Sequence, residues 1–135
     1  MKVLLIGATG NVGSRMVPAL LTHKHTVVAY VRSAKKLEAL LPGPVYQQLT
    51  VVEGNATDTH AMKRAILECK CDAVVNTAGV APMAPWGHSD LPVIFRAVLE
   101  AVREAGKERG KPLRVWFMGG MGVLNYPGTK WLLSD

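Results

Sequence analysis

Residues 3–14 read VLLIGATGNVGS, and this stretch decides the fold. Its four leading aliphatic residues are typical of a strand that is buried on both faces of a parallel sheet. Three glycines at intervals of three follow, Gly7, Gly10 and Gly13, and a helical pattern of apolar residues begins at Asn11. Glycines in such a turn let the backbone approach an anion closely, and the N–H groups at the start of the helix point toward it. The stretch therefore predicts a phosphate-binding turn at the head of a βαβ unit.

The rest of the chain continues the alternation of strands and helices. Aliphatic segments predict strands at residues 3–8, 27–31, 49–52, 73–77 and 114–118. Amphipathic patterns predict a helix from Asn11, a second that is capped by Ser33 and ends before Pro42-Gly43-Pro44, and two more that are capped by Thr59 and Asp90. Because crossovers are right-handed, this order predicts an α/β fold, a doubly wound parallel sheet of the Rossmann type. We expect one domain over residues 1–135, with five strands in the order 3-2-1-4-5 and helices on both faces.

Composition and charge narrow the class of protein. The 135 residues are 49% hydrophobic and 19% charged, as in a globular domain, and the apolar run at residues 3–6 is too short for a signal peptide or a membrane span. We therefore expect a cytoplasmic protein without a membrane partner. The net charge of +6 is spread over the chain without interleaved aromatic residues, which argues against nucleic acid. Cys69 and Cys71 are interpreted as reduced thiols, since a zinc site with His60 or His88 would lack the usual ligand spacing.

The end of the second predicted strand indicates which dinucleotide is bound. Arg32 lies about 20 residues beyond the glycines, where an acidic residue would accept a hydrogen bond from the ribose 2′-hydroxyl of NAD. Lys35 and Lys36 follow it, and this basic cluster matches a 2′-phosphate. The sequence therefore favours NADP over NAD. The alternative is that the three cations only decorate the exposed first turn of a helix.

Three further segments support a family resemblance. GNATD at residues 54–58 follows the third strand, NTAG at residues 76–79 follows the fourth, and MGGMG at residues 118–122 follows the fifth. With GATGNVG, they resemble the extended and atypical branches of the short-chain dehydrogenase/reductase superfamily, including NmrA-like NAD(P)-binding proteins. The resemblance implies that Asp58 contacts adenine and that residues of NTAG and MGGMG line the nicotinamide. The cofactor-binding residues that it predicts are Gly7, Thr9, Gly10, Asn11, Val12, Gly13, Arg32, Ala56, Asp58, Thr77, Ala78, Gly79, Met118 and Gly119.

The resemblance also implies a catalytic pair. The superfamily uses Tyr-x-x-x-Lys to move a proton, and YPGTK places Tyr126 and Lys130 at that spacing. However, Pro127-Gly128 is a turn signal, so a surface or cleft loop is the alternative interpretation. The implied activity is hydride transfer between NADP(H) and a small carbonyl, quinone or flavin-like substrate. The alternatives are a non-catalytic NAD(P) sensor of the NmrA type and an NAD(P)-dependent epimerase or dehydratase.

The last segment raises the question of a partner. Members of the superfamily continue well past the fifth strand into a substrate-binding section, whereas this sequence ends shortly after the apolar residues Trp131, Leu132 and Leu133. We expect the fifth strand and one sheet face to lack their usual cover. A second copy of the chain, forming a homodimer, or a missing C-terminal segment would supply it.

Overall fold

Five parallel strands form one sheet in a computed structural model that describes residues 1–79, 90–118 and 127–128. The strands are β1 (Lys2–Ile6), β2 (Thr26–Val31), β3 (Thr50–Glu53), β4 (Ala73–Asn76) and β5 (Arg114–Phe117). The helices are α1 (Asn11–Thr22), α2 (Ala34–Leu40), α3 (Gly43–Tyr46), α4 (Thr59–Glu68) and α5 (Leu91–Arg109). The sheet order is β3-β2-β1-β4-β5, so the predicted doubly wound order is confirmed. The predicted Gly119, Tyr126 and Lys130 lie outside the described residues, as do residues 131–133.

The first strand lies at the centre of the sheet. Lys2–Ile6 pairs with β2 on one side, where Ile6 is opposite Tyr30, and with β4 on the other, where Ile6 is opposite Asn76. Its residues from Val3 onward are at most 2% exposed, as expected for a strand covered on both faces. The chain leaves β1 toward β2 and later returns on the opposite side to β4. The carboxyl end of β1 is therefore the topological switch point, where ligands bind in such sheets.

Helices cover the two faces of the sheet with separate apolar clusters. Leu4 and Ile6 point to the face of α4 and α5, where they pack in a cluster with Met62, Ile66 and Val98. Leu5 points to the opposite face and packs in a cluster with Val17 of α1 and Leu37 of α2. Successive residues of one strand thus enter opposite cores, which fixes the direction of β1 and of the turn that follows it.

Several element boundaries differ from the sequence prediction by one or two residues, and one helix was not predicted. Asp58, rather than Thr59, is the N-cap of α4, and its carboxylate accepts the Ala61 N–H at 3.0 Å. The helix α3 was not predicted, because two prolines were interpreted as ending the preceding helix. The N–H groups in the first turn of a helix have no acceptor within the helix. Because proline has no N–H, Pro44 fits in the first turn of α3. The third strand begins and ends one residue later than predicted, at Thr50 and Glu53.

The last described strand is less covered than the central ones. Val115 and Trp116 are 37% and 48% exposed, and Met118, just after β5, is 44% exposed. These side chains are exposed, whereas the expected lack of cover and the partner that would supply it stay predictions. No helix in the described part of the chain is long and apolar enough to cross a membrane.

Candidate functional site

A cleft of about 480 Å³ opens at the carboxyl ends of the central strands. Segments from five parts of the chain form it: the glycine turn after β1, the end of β2 with the start of α2, and the loops after β3 and β4 with the start of α5. Its lining residues are Ile6, Gly7, Thr9, Gly10, Tyr30, Val31, Arg32, Lys36, Gly54, Asn55, Ala56, Thr57, Thr77, Ala78, Gly79, Asp90, Val93 and Ile94.

The floor of the cleft is the glycine turn, and its geometry requires glycine at two positions. Gly7 has a φ of +86°, and a Cβ there would lie 2.6 Å from the backbone nitrogen of Ala78. A Cβ on Gly13 would fall on the Gly7 carbonyl oxygen and 2.8 Å from Thr77 Oγ1. Gly10 closes the turn by donating its N–H to the same carbonyl oxygen at 2.9 Å. The three glycines thus seat α1 directly against β1 and the end of β4.

The first turn of α1 provides the hydrogen-bond donors of this floor. Gly10 is the N-cap, with no side-chain capping bond and no acidic residue in the first turn. The N–H groups of Asn11, Val12 and Gly13 therefore have no intrahelical acceptor, and the positive end of the helix dipole faces the turn. Gly7, Thr9 and Gly10 line the cleft, whereas Asn11, Val12 and Gly13, the next three predicted residues, are not among its lining residues. The donor set fits a pyrophosphate, which accepts hydrogen bonds from backbone N–H groups.

The segment after β4 is held against β1 by its own polar groups. The Thr77 hydroxyl and N–H both donate to the Ile6 carbonyl, at 2.8 and 2.9 Å. Asn76 Oδ1 accepts the Ala78 N–H at 3.1 Å, which bends the chain at the mouth of the cleft. Thr77, Ala78 and Gly79 line the cleft, and the threonine hydroxyl is already used by the fold, whereas their contact with a cofactor stays a prediction.

The opposite end of the cleft is basic. Arg32 and Lys36 both line it and are exposed, whereas Lys35 does not contribute to the lining. Within the described residues, no ion pair neutralises either cation. Two uncompensated positive side chains at one end of a cleft favour an anionic group of a ligand there.

The loop after β3 forms one wall of the cleft, and the carboxylate of Asp58, which was predicted to contact adenine, is hydrogen-bonded to α4. Asn55, Ala56 and Thr57 line the cleft, but Asp58 does not, because its carboxylate caps α4. A contact between Asp58 and adenine stays a prediction. The loop is braced by Asn55, whose Oδ1 accepts from the Thr57 N–H and hydroxyl at 3.0 and 2.9 Å.

A buried tyrosine fixes this loop to the sheet. The Tyr30 hydroxyl donates to the Asn55 carbonyl at 3.0 Å, and its ring is 2% exposed. Burial raises the pKa of Tyr30, so the phenol stays protonated and remains a donor at ordinary pH. Sequence reasoning missed Tyr30 and Asn55 as site residues, although each lies within three residues of a predicted one.

The start of α5 closes the cleft beside Gly79. Asp90, Val93 and Ile94 line it, and none was predicted as a site residue. Asp90 is the predicted N-cap, but its carboxylate makes no capping hydrogen bond. Met118 was predicted to face the nicotinamide, yet it does not line the cleft.

The two cysteines are free thiols in the described structure. Burial raises the pKa of the Cys71 thiol to about 12, so it is a poor nucleophile and a poor metal ligand at neutral pH. Among the residues that the structure describes, no group of three or more His, Cys, Asp and Glu side chains is placed to hold a metal ion.

The fold and the site together define a class of protein: a doubly wound domain with a glycine turn at its switch point is a dinucleotide-binding domain. The sequence model of a family described as NAD(P)H-binding matches residues 7–129, and the chain belongs to that family. No curated protein matches the sequence significantly.

Several solved structures share the fold. ChuY, an anaerobillin reductase from Escherichia coli O157:H7, is 24% identical with a TM-score of 0.66 over 90% of this chain and 52% of its own. The Bordetella bronchiseptica enzyme WbmG, solved with NAD and UDP, is 23% identical with a TM-score of 0.69 over 95% of this chain and 40% of its own. A wide-type short-chain dehydrogenase/reductase from Veillonella parvula, solved with NADP, is 17% identical with a TM-score of 0.64 over 90% and 48%.

These matches confirm the predicted resemblance to the NAD(P)-binding short-chain dehydrogenase/reductase fold. The chain spans about half the length of these structures or less, since it covers 52%, 40% and 48% of them. One of the three was solved with NAD and another with NADP, so the matches do not distinguish the two cofactors.

Proposed function

We propose that this protein binds NADP(H) and is an oxidoreductase that transfers hydride to or from a small carbonyl, quinone or flavin-like substrate. The observation that carries the cofactor assignment is the placement of Arg32 and Lys36 in the same cleft as the glycine turn. A guanidinium and an ammonium group, neither of them ion-paired within the described residues, match a 2′-phosphate, whereas NAD presents a neutral hydroxyl there. ChuY, a reductase of similar fold, supports the reaction class by analogy.

The cofactor fits the cleft in one direction. The donors at the glycine turn hold the pyrophosphate, and the basic end holds the 2′-phosphate. The loop of Asn55, Ala56 and Thr57 takes the adenine, which leaves the nicotinamide for the segment Thr77–Gly79. When bound, the cofactor supplies the hydride, and the residues of this chain bind and orient it.

Lys36→Ala is expected to weaken NADPH binding by about three- to tenfold and to leave NADH binding within about twofold, since the ammonium would pair with the phosphate that only NADPH carries. Lys35→Ala is the matched control, because Lys35 is adjacent and equally charged but does not line the cleft. Isothermal titration of both variants with both cofactors measures the difference. Equal losses in the two variants would show that only the overall charge matters.

A second candidate is a non-catalytic NAD(P) sensor of the NmrA type, and one observation favours it. In the described part of the cleft, the hydroxyls of Tyr30 and Thr77 are both engaged by backbone carbonyls. Near Gly79, the described lining offers only the Asp90 carboxylate as a group that could transfer a proton. A sensor requires tight binding and no proton transfer, so it is compatible with this arrangement.

Turnover distinguishes the two candidates. The oxidoreductase proposal expects NADPH oxidation, followed by the loss of absorbance of the reduced nicotinamide, with at least one member of a panel of carbonyls, quinones and flavins. A Kd for NADPH in the micromolar range without turnover across that panel would favour the sensor. Failure to bind either cofactor would contradict both.

The cytoplasmic location and the partner over β5 are also proposals. Two free cysteines support the former, and the exposed side chains of Val115 and Trp116 support the latter.

A further inference from the structure

The turn that carries Arg32 is tied to the neighbouring strand by a glutamate side chain. Glu53 is the last residue of β3 and pairs with Val31, the last residue of β2. Its Oε1 accepts the N–H of Ala34, the first residue of α2, at 2.8 Å. The following N–H, of Gly54, donates to the Val31 carbonyl at 2.8 Å. Both the side chain and the backbone at the end of β3 therefore hold the two residues between β2 and α2.

The start of α2 has a second, independent restraint. The Ser33 hydroxyl oxygen accepts the Lys36 N–H at 3.2 Å, as an N-cap. Ser33 and Glu53 together satisfy two donors in the first turn of α2. That turn carries Lys36, and Arg32 immediately precedes it, so the direction of both cleft-lining cations depends on these two acceptors.

Glu53 acts on this turn as an acceptor rather than as an ion-pair partner. Within the described residues, its carboxylate forms no ion pair with Arg32 or Lys36. Its carboxylate oxygen accepts from a backbone N–H, and a neutral amide oxygen can take the place of that carboxylate oxygen as the acceptor. Arg32 thus remains available to a ligand while the chain beside it is fixed.

We infer that Glu53 is a positioning residue for 2′-phosphate recognition: by holding the Ala34 N–H, it fixes the Arg32–Ser33 turn in the orientation that distinguishes NADPH from NADH. This inference rests on the proposed NADP(H) function. Glu53 does not line the cleft and is not expected to touch the cofactor.

The test measures a selectivity ratio, the Kd for NADH divided by the Kd for NADPH, on the whole chain. Glu53→Ala removes the acceptor and is expected to lower the ratio by about threefold or more, with the loss confined to NADPH. Glu53→Gln keeps an acceptor oxygen without the charge and is expected to keep the ratio within about threefold of the wild type. Glu38→Ala is the matched control, because Glu38 is an exposed glutamate of α2 whose side chain forms no hydrogen bond or ion pair within the described residues.

The outcomes separate positioning from charge and from plain instability. An unchanged ratio in Glu53→Ala overturns the inference. In Glu53→Gln, a ratio that rises more than threefold also overturns the inference, because the carboxylate would then act by repelling the phosphate. A ratio that falls more than threefold overturns it as well, because the amide oxygen would then fail as an acceptor. A loss of fold would weaken NADH and NADPH binding equally and leave the ratio unchanged, so thermal unfolding of each variant confirms that the ratio is measured on folded protein.

Arg32→Ala, measured in parallel, keeps this result distinct from the proposed function. If Arg32→Ala lowers the ratio and Glu53→Ala does not, only the role of Glu53 is wrong. If Arg32→Ala leaves the ratio unchanged, the NADP(H) assignment is wrong and the role of Glu53 is overturned with it.

Discussion

Replacing Gly7 with alanine is expected to destabilise the protein by about 2–5 kcal/mol and to abolish measurable binding of NADPH and NADH alike. Two independent reasons support this magnitude. The φ of +86° is a left-handed conformation, which disfavours a residue with a Cβ by roughly 1–2 kcal/mol. The new methyl carbon would also lie 2.6 Å from the nitrogen and 2.8 Å from the Cα of Ala78, and overpacking of this kind costs about 1–3 kcal/mol.

The loss of binding has the same origin as the loss of stability. The atoms that would collide with the methyl group belong to the backbone after β4, which itself lines the cleft. Relief of the contact must therefore move either this segment or the glycine turn, and both would hold the cofactor. Urea unfolding measures the stability change, and titration with both cofactors measures binding.

Gly43→Ala is the control for the loss of a glycine as such. Apart from its chain neighbours and the backbone of its own helix, a Cβ at Gly43 would meet no atom of the described residues within 4 Å, and the stability of this variant is expected to stay within about 0.5 kcal/mol of the wild type. A Gly7→Ala variant that unfolds like the wild type and binds NADPH normally would contradict the close packing of the turn against β4.

The features that the sequence predicted well are those that local patterns determine. A continuous aliphatic run specifies a doubly buried strand, and glycine spacing specifies the turn that follows it. The sheet order follows once each crossover is right-handed, which needs no knowledge of individual contacts. The five strands, in their predicted order, and the glycine turn were accordingly found within one or two residues of where the sequence indicated.

The features that were missed depend on contacts between distant segments. Tyr30 reaches Asn55 only because β2 and β3 pair with Tyr30 opposite Val52, a register that the sequence does not show. The cap of α4 was assigned to Thr59, whereas Asp58 provides it, and the predicted contact of Asp58 with adenine stays a prediction. Likewise, two adjacent lysines look alike in sequence, and only the path of α2 places Lys36 in the cleft.

Arg32→Ala is expected to weaken NADPH binding by about ten- to a hundredfold while the Kd for NADH changes by less than about twofold. The side chain follows the last residue of β2 and lines the basic end of the cleft. A guanidinium can donate two parallel hydrogen bonds to one phosphate, and a charge-assisted hydrogen bond contributes roughly 1.5–3 kcal/mol. Because NADH has no 2′-phosphate, it loses none of this contribution.

Arg32→Lys separates the geometry of the guanidinium from its charge. Lysine keeps the positive charge but offers a single ammonium group, so NADPH affinity is expected to lie between that of the wild type and that of Arg32→Ala. Raising the salt concentration should narrow the difference between the two cofactors in the wild type, since the side chain is exposed and its attraction to phosphate is screened. Equal weakening of NADPH and NADH in Arg32→Ala would mean that the arginine supports the fold of the cleft rather than reading the phosphate. In that case the basic end would no longer argue for NADP, and the cofactor would have to be assigned from the remaining contacts of the adenine loop.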